Sequence, residues 1–346
     1  MHLTTETTII FLVLCAIYGS AYAGVSQGLK YFSAGLFQMY RMLFGLLTTT
    51  IIMIIRVIIN HHNYKYTLRS HFMNGPKPIF HLVFGGLLNM GIPHCLIAVA
   101  QKSVSTASVQ LMQPIATTAG AIFGHFILDD ERFTMKKFYS LLLSLVGVTL
   151  TGIPNFAHAG SNPNTTIGAM AIGYVLLFVS VVMFGVAPGY FKWTVPNADI
   201  TLSATIQIFA SAIFNFFYSL INDGWDKMVD MTMKAPSNAW LWPMIIGCLV
   251  SGSAIHGFMY LINEIGTFGA NMIPFGQIIF GVGIGVFFLK EWEKFSLFEV
   301  ILSLCGIGFL VLSLAFGFGD VNQNDQPEED IPEEEEDNYD RKLQEL

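Results

Sequence analysis

The sequence predicts an all-α polytopic membrane protein with ten transmembrane helices, arranged as two inverted five-helix repeats. Three observations predict it. Of the 346 residues, 53% are apolar and only 12% are charged, against roughly 25% charged in an ordinary soluble domain. Ten apolar runs of 19 to 26 residues follow one another with short connections. A block running from a proline to a glutamate recurs at an offset of 160 residues.

Crossing about 30 Å of hydrocarbon at 1.5 Å per residue takes about 20 apolar residues, so each run fits a spanning helix. The first run, residues 8–29, contains Ala21-Tyr22-Ala23, a pattern like a signal cleavage site. Its leader has no Lys or Arg, holds Glu6, and stays apolar through Val25 and Leu29, so it reads as span 1. The second run, 34–59, carries Arg41, the one cation placed away from the end of a span. Runs three to five are residues 78–101, 104–128 and 137–155; runs six to ten are 167–191, 200–222, 240–262, 266–289 and 295–318. Charges and turn residues bound each of them. The domain reading is a first repeat over 1–155, a connection over 156–166, a second repeat over 167–318, and a cytoplasmic tail over 319–346.

The charges are unevenly placed. Residues 320–346 hold 12 of the 24 acidic and 2 of the 17 basic residues, a net of −10, which leaves +3 for the rest. The acidic balance therefore describes a tail too polar to bury surface, and it says little about the body. Of the Lys and Arg residues, ten fall on the N-terminal side and six on the other; across the first five spans the bias is seven to two. This predicts both termini in the cytoplasm and leaves plasma membrane and internal membranes both open. The sequon Asn164-Thr165-Thr166 then lies outside. The four cysteines, Cys15, Cys95, Cys248 and Cys305, all sit in apolar runs without metal-type spacing and read as buried thiols.

The repeat carries the functional argument. Pro114 precedes Glu131 by 17 positions, and Pro274 precedes Glu291 by the same number. Ser105 through Gln113 leads into the first proline, and Gly266 through Ile273 into the second. Each glutamate is followed by a charged turn and a Gly-bearing helix, with Gly147 in one copy and Gly306 and Gly308 in the other. Tyr18-Gly19-Ser20-Ala21 in span 1 corresponds to Phe184-Gly185-Val186-Ala187 in span 6, with Arg41 and Gln207 downstream. An odd number of spans per unit makes the second copy insert upside down, the arrangement that lets a central site face either side in turn.

On these residues the chain resembles the drug/metabolite transporter superfamily, specifically its EamA-like family. The resemblance rests on Tyr18-Gly19-Ser20 with Arg41, on Ala107 through Pro114 with Glu131 and the Gly147 helix, and on Ala270 through Pro274 with Glu291 and the Gly306 helix. The family usually has Trp where Tyr18 stands, and the second copy has Phe184 and Gln207 in place of the aromatic and the Arg. The resemblance implies the ten-helix inverted fold, with a central cavity lined mainly by spans 1, 3, 4, 6, 8 and 9. It also implies transport of small organic solutes, a class that includes amino acids, purines, drugs, sugar phosphates and nucleotide sugars.

The candidate cavity residues are Tyr18, Tyr22, Arg41, Asn89, His94, Gln110, Gln113, His256, Tyr260, Asn271 and Gln277; Asn215 and Phe184 share their depth. A polar group in hydrocarbon must find a partner, so these are expected to face the interior or each other. Arg41 reads either as a functional intramembrane charge or as one tied to the helix pair. Pro114 and Pro274 are candidate kinks with a gating role. His94 and His256 are candidate proton-coupling groups, a hydrogen-bonded neutral ring being the alternative. Gly120, Gly124, Gly281 and Gly285 have the small-xxx-small spacing of close helix crossings. Glu131 and Glu291 are expected to complement the N-terminal dipoles of spans 5 and 10.

No carboxylate lies in the middle of any run, the nearest being Glu264 and Glu299. That disfavours carboxylate-driven export of organic cations and suits neutral, zwitterionic or anionic solutes. The expected function is a secondary carrier of a small polar organic solute such as an amino acid, a purine or a related metabolite. An organellar nucleotide-sugar or sugar-phosphate exchanger is the alternative within transporters, and an accessory or channel-like protein is the alternative outside them. No enzyme, cofactor or metal is expected. The expected partners are a small-molecule solute and the lipid bilayer and no nucleic acid; a homodimer is compatible with the pattern, and the tail's partner stays open.

Overall fold

The structure, a computed structural model, describes residues 4–59, 76–104, 106–129, 131–158, 166–287 and 295–323. Glu291, Asn164 of the sequon and the acidic tail beyond residue 323 lie outside them. All secondary structure among the described residues is helical. In order these are α1 (Thr5–Gly28), α2 (Ala34–Ile59), α3 (Pro76–Gly86), a π-helical segment (Leu87–Gly91), α4 (Ile92–Ala100), α5 (Thr106–Met112), α6 (Pro114–Ile127), α7 (Met135–His158), α8 (Ile167–Thr194) and α9 (Ile200–Asp223). There follow α10 (Trp225–Lys234), a short 3-10 turn, α11 (Leu241–Ile245), a second π-helical segment (Ile246–Ala254), α12 (Ile255–Ala270), α13 (Ile273–Phe287) and α14 (Leu297–Gln323).

Helical residues overlie every apolar run, and eight described stretches are long and apolar enough to cross a membrane. The fourth run falls short because it breaks at Gln113 into α5 and α6. The surface fits this reading. Ile167 is 87% exposed, Ile221 81% and Phe126 76%, amid a broad apolar surface that an aqueous protein does not present and that lipid covers.

Small residues set the packing. α7 and α14 pack along Ser140, Gly147 and Thr151 on one side and Gly306, Leu310 and Ser313 on the other. The Ser140 hydroxyl donates to the Ser313 carbonyl at 2.8 Å and the Ser313 hydroxyl to the Ser140 carbonyl at 2.7 Å. A Cβ on Gly147 would stand 2.8 Å from the Gly306 carbonyl oxygen, so only glycine permits this approach. Elsewhere α1 packs on α13 and α8 on α6, while α2 packs on the second π segment and α9 on α3 and the first. In each crossing a glycine meets the opposing backbone: Gly19 meets Gln277, Gly185 meets Ala116, Gly247 meets Arg41 and Gly86 meets Gln207.

Two features differ from the sequence expectation. Cys15 and Cys95 are buried as expected, but Cys248 is half-buried and Cys305 is exposed, because the outer face of α14 is turned to lipid. Residues 240–289 do not divide at a polar loop. The chain stays helical to Gly266, whose φ of 75° breaks the hydrogen-bond ladder, and a new helix starts at Thr267.

Candidate functional site

The two prolines stand where helices restart. Pro114 opens α6 directly after the Gln113 turn, and Pro274 is the second residue of α13, after the turn at Asn271-Met272. In a first helical turn proline gives up no hydrogen bond and its fixed φ suits the start, so both mark initiation after a break rather than a bend in a continuous rod.

A cavity opens beside these two breaks. Tyr18 and Tyr22 of α1 form one wall, Asn89, Met90 and His94 another, and Gln113 with Ala116 a third. Phe184 of α8, Phe258 of α12, and Ala270, Asn271, Ile273, Pro274 and Gln277 complete it. Aromatic faces thus alternate with carboxamides, and no carboxylate, Lys or Arg is among the lining residues.

Internal bonds orient the polar groups. The His94 ring lies 5.0 Å from Phe184, edge to face, and its Nδ1 is 3.0 Å from the Met90 carbonyl. A carbonyl only accepts, so Nδ1 carries the proton and Nε2 keeps a lone pair. Asn271 Nδ2 donates to the Gly185 carbonyl at 3.1 Å, Gln113 Nε2 to the Val109 carbonyl at 3.3 Å, and Asn89 Nδ2 to Gln207 Oε1 at 3.1 Å. The Thr117 hydroxyl donates to the Asn271 carbonyl, holding the break. Gln277 is 4% exposed, and its Nε2 faces the Tyr22 side chain but makes no hydrogen bond of normal geometry among the described residues.

The structure therefore brings Tyr18, Tyr22, Asn89, His94, Gln113, Asn271 and Gln277 together around one space. It places the other candidates elsewhere. Arg41 is 2% exposed and lies behind the wall, its Nε donating to Ser251 Oγ at 2.8 Å and its Nη1 to Gln38 Oε1 at 3.3 Å. Gln110 Nε2 donates to the Gly19 carbonyl at 2.8 Å, tying α5 to α1. His256 sits with Nδ1 2.8 Å from the Gly252 carbonyl, toward Arg56 and Asp199, and Tyr260 lies toward Glu6 and Glu264. Asn215 is fully buried and bonds the Ser211 carbonyl at 2.8 Å.

Glu131 has a different role from the one its position before span 5 predicts. Its carboxylate accepts from the Thr267 amide at 2.6 Å, the Phe268 amide at 3.2 Å, the Thr267 hydroxyl, and Lys192 Nζ at 2.9 Å. The break at Gly266 exposes helix-start N–H groups there, and these attract the carboxylate more than the residues beside it in sequence do. The termini of α6, α8 and the helix that enters the cavity wall are thus held at one point.

Sequence reading also missed the two π segments. Each lies where a glycine-rich stretch crosses the other half: Gly85-Gly86 through Gly91, and Gly247 through Ser251-Gly252-Ser253. Through them Asn89 meets Gln207, and Ser251 meets Arg41. The paired glycines were the available signal.

Comparison with known proteins bears on this site. Residues 6–153 match the model of the EamA-like transporter family. No curated protein matches the chain. Among solved structures 24 chains match. One of them, the crystal structure of a protein 15% identical to this chain, covers 94% of this chain and 100% of its own length with a TM-score of 0.64. At that identity the likeness is one of fold.

Proposed function

We propose that this chain, an EamA-like transporter sequence over residues 6–153, is a secondary carrier that moves a small polar organic solute through the cavity between Tyr18, His94 and Asn271 by alternating access. The solutes meant are of the size and polarity of an amino acid or a purine. The observation that carries the reading is the position of the cavity. It lies beside the breaks at Gln113 and Asn271-Met272, in helix pairs that correspond to each other across the repeat.

The helix partnerships support the inverted arrangement. Counting apolar runs, run 1 packs on 9 and run 6 on 4; run 2 packs on 8 and run 7 on 3; runs 5 and 10 pack on each other. Adding five to each number turns every pair into another member of the same set, which is how two related halves of opposite orientation combine. On this reading the ten spans leave both termini on one side, and the basic bias favours the cytoplasm for it.

Alternating access needs a site enclosed by elements that can exchange partners. Interrupted helices supply it, because their ends offer polar backbone inside the membrane without a continuous ladder to break. The test is counterflow in proteoliposomes: a panel of radiolabelled amino acids, purines and nucleotide sugars is offered outside, with unlabelled solute inside. Saturable uptake accelerated by internal solute is the expected result. Folded protein that gives no counterflow with any member of the panel would overturn the carrier reading.

A further inference from the structure

We propose that the cavity selects solutes bearing a single negative charge, a carboxylate, and that this group seats at the wall of Tyr18, Tyr22 and Gln277 with Gln277 Nε2 donating to it. The proposal rests on the carrier reading above and names the class of solute.

Two unmet demands lie at the same wall. The first is charge. Arg41 pairs with no carboxylate among the described residues; its hydrogen bonds go to the neutral Ser251 and Gln38. A guanidinium 2% exposed at membrane depth, with no counter-ion, leaves its field unbalanced. One bond ties it to the cavity wall: Gln38, which accepts from Arg41, donates its Nε2 to the carbonyl of the lining residue His94 at 3.0 Å. The lining itself holds no carboxylate to balance that charge. The second demand is a hydrogen bond. Gln277 Nε2 is a buried donor that faces the Tyr22 side chain without a hydrogen bond of normal geometry, and a native structure keeps such a group where something else completes the partnership.

A carboxylate meets both demands. Its oxygens accept from Gln277 and from the tyrosine hydroxyls, and its charge balances Arg41 across the wall. One cation calls for one negative charge: a phosphate monoester would bring a second charge for which the lining holds no further cation. The remaining groups fit the rest of such a molecule. His94 Nε2 and the carboxamide oxygens of Asn89, Gln113 and Asn271 are free to accept from N–H or O–H donors on the solute. Arg41 is thus a positioning residue that acts through the field it places on the cavity, and Gln277 is the one that touches the ligand.

Matched compounds test this. Alanine, lactate, glycerate and benzoate, each with its methyl ester, and 3-phosphoglycerate beside glycerate, are compared as competitors of counterflow and as stabilisers in thermal unfolding of the purified full chain. Each acid that responds is expected to compete at least tenfold better than its ester, and glycerate better than 3-phosphoglycerate. Q277L, which keeps volume but removes the donor, is expected to lose at least tenfold for acids and so to narrow the ratio of acid to ester. R41K, which keeps the charge, is expected to retain the preference for acids, and R41Q to lose it. Thermal unfolding of each variant without solute shows that it is folded.

Esters competing as well as acids, or Q277L leaving acids unaffected, would overturn the proposal, and preference for the phosphate ester would overturn the single charge. Counterflow confined to uncharged solutes would sink this proposal while the carrier reading stands. Silence of these compounds and of the broader panel alike sinks both.

Discussion

At the scale of single residues, the buried charges Glu131 and Arg41 differ in how they are partnered. Glu131 has an ion-pair partner and two backbone amides. Arg41 has neutral partners only, among the described residues. The consequence for Glu131 is structural. E131A leaves two helix-start N–H groups without their acceptor and removes the ion-pair carboxylate from half-buried Lys192, and a buried donor left unsatisfied costs about 1–3 kcal/mol. Thermal unfolding in detergent is expected to show that loss. K192M is expected to cost less, because the carboxylate keeps its amide donors. Equal losses in the two variants would mean that the ion pair, and not the helix cap, carries the stabilisation. None of this was readable at Glu131 itself: a carboxylate before span 5 suggests a local dipole contact, and its true partners stand 136 and 137 positions away, made available by the break at Gly266.

At the scale of elements, close crossings decide the packing, and they can be tested one glycine at a time. A Cβ on Gly306 would lie 2.7 Å from the Gly147 carbonyl and 2.3 Å from Thr151 Oγ1, whereas one on Gly308 meets nothing within 4 Å. G306A and G147A are therefore expected to force α7 and α14 apart and to destabilise by about 1–3 kcal/mol, as overpacking does. G308A is expected to be neutral or stabilising by up to roughly 1 kcal/mol, through helix propensity alone. Thermal unfolding of the three variants side by side checks this, and similar losses at 306 and 308 would show that the crossing does not depend on the missing Cβ. Most helices were legible because length and apolarity fix them locally: the second run, 34–59, coincides with α2, and the seventh, 200–222, with Ile200–Asp223. The π segments were not legible, since their extra residue per turn answers to Arg41 and Gln207 on other helices. Nor was α10, a ten-residue amphipathic helix too short and too polar to register as a span. Of the cavity, the polar liners were visible as costly residues in apolar runs, but apolar liners such as Met90 and Phe258 resemble any other core residue until the fold groups them.

At the scale of the whole molecule, the proposed ten crossings make the polar connections alternate between two faces. Asp129 and Arg132 lie on the face of the N-terminus, and Lys227 and Lys234 of the α9–α10 region lie on the other, if the runs cross in turn. The proposal of cytoplasmic termini, drawn from the basic bias, puts the first face inside. Single cysteines in a background where Cys15, Cys95, Cys248 and Cys305 are replaced by Ala test both statements together. The Lys234 side chain is 76% exposed and Asp129 is fully exposed, so access to reagent at either position depends on sidedness and not on burial. K234C is expected to react with a membrane-impermeant maleimide on intact cells, and D129C only after permeabilisation. Labelling of both positions from outside would break the alternation and with it the inverted pairing of the two halves. The opposite labelling would keep the fold, the cavity and the solute class, and would reverse only the orientation, because the field of Arg41 on the cavity is the same whichever face opens first.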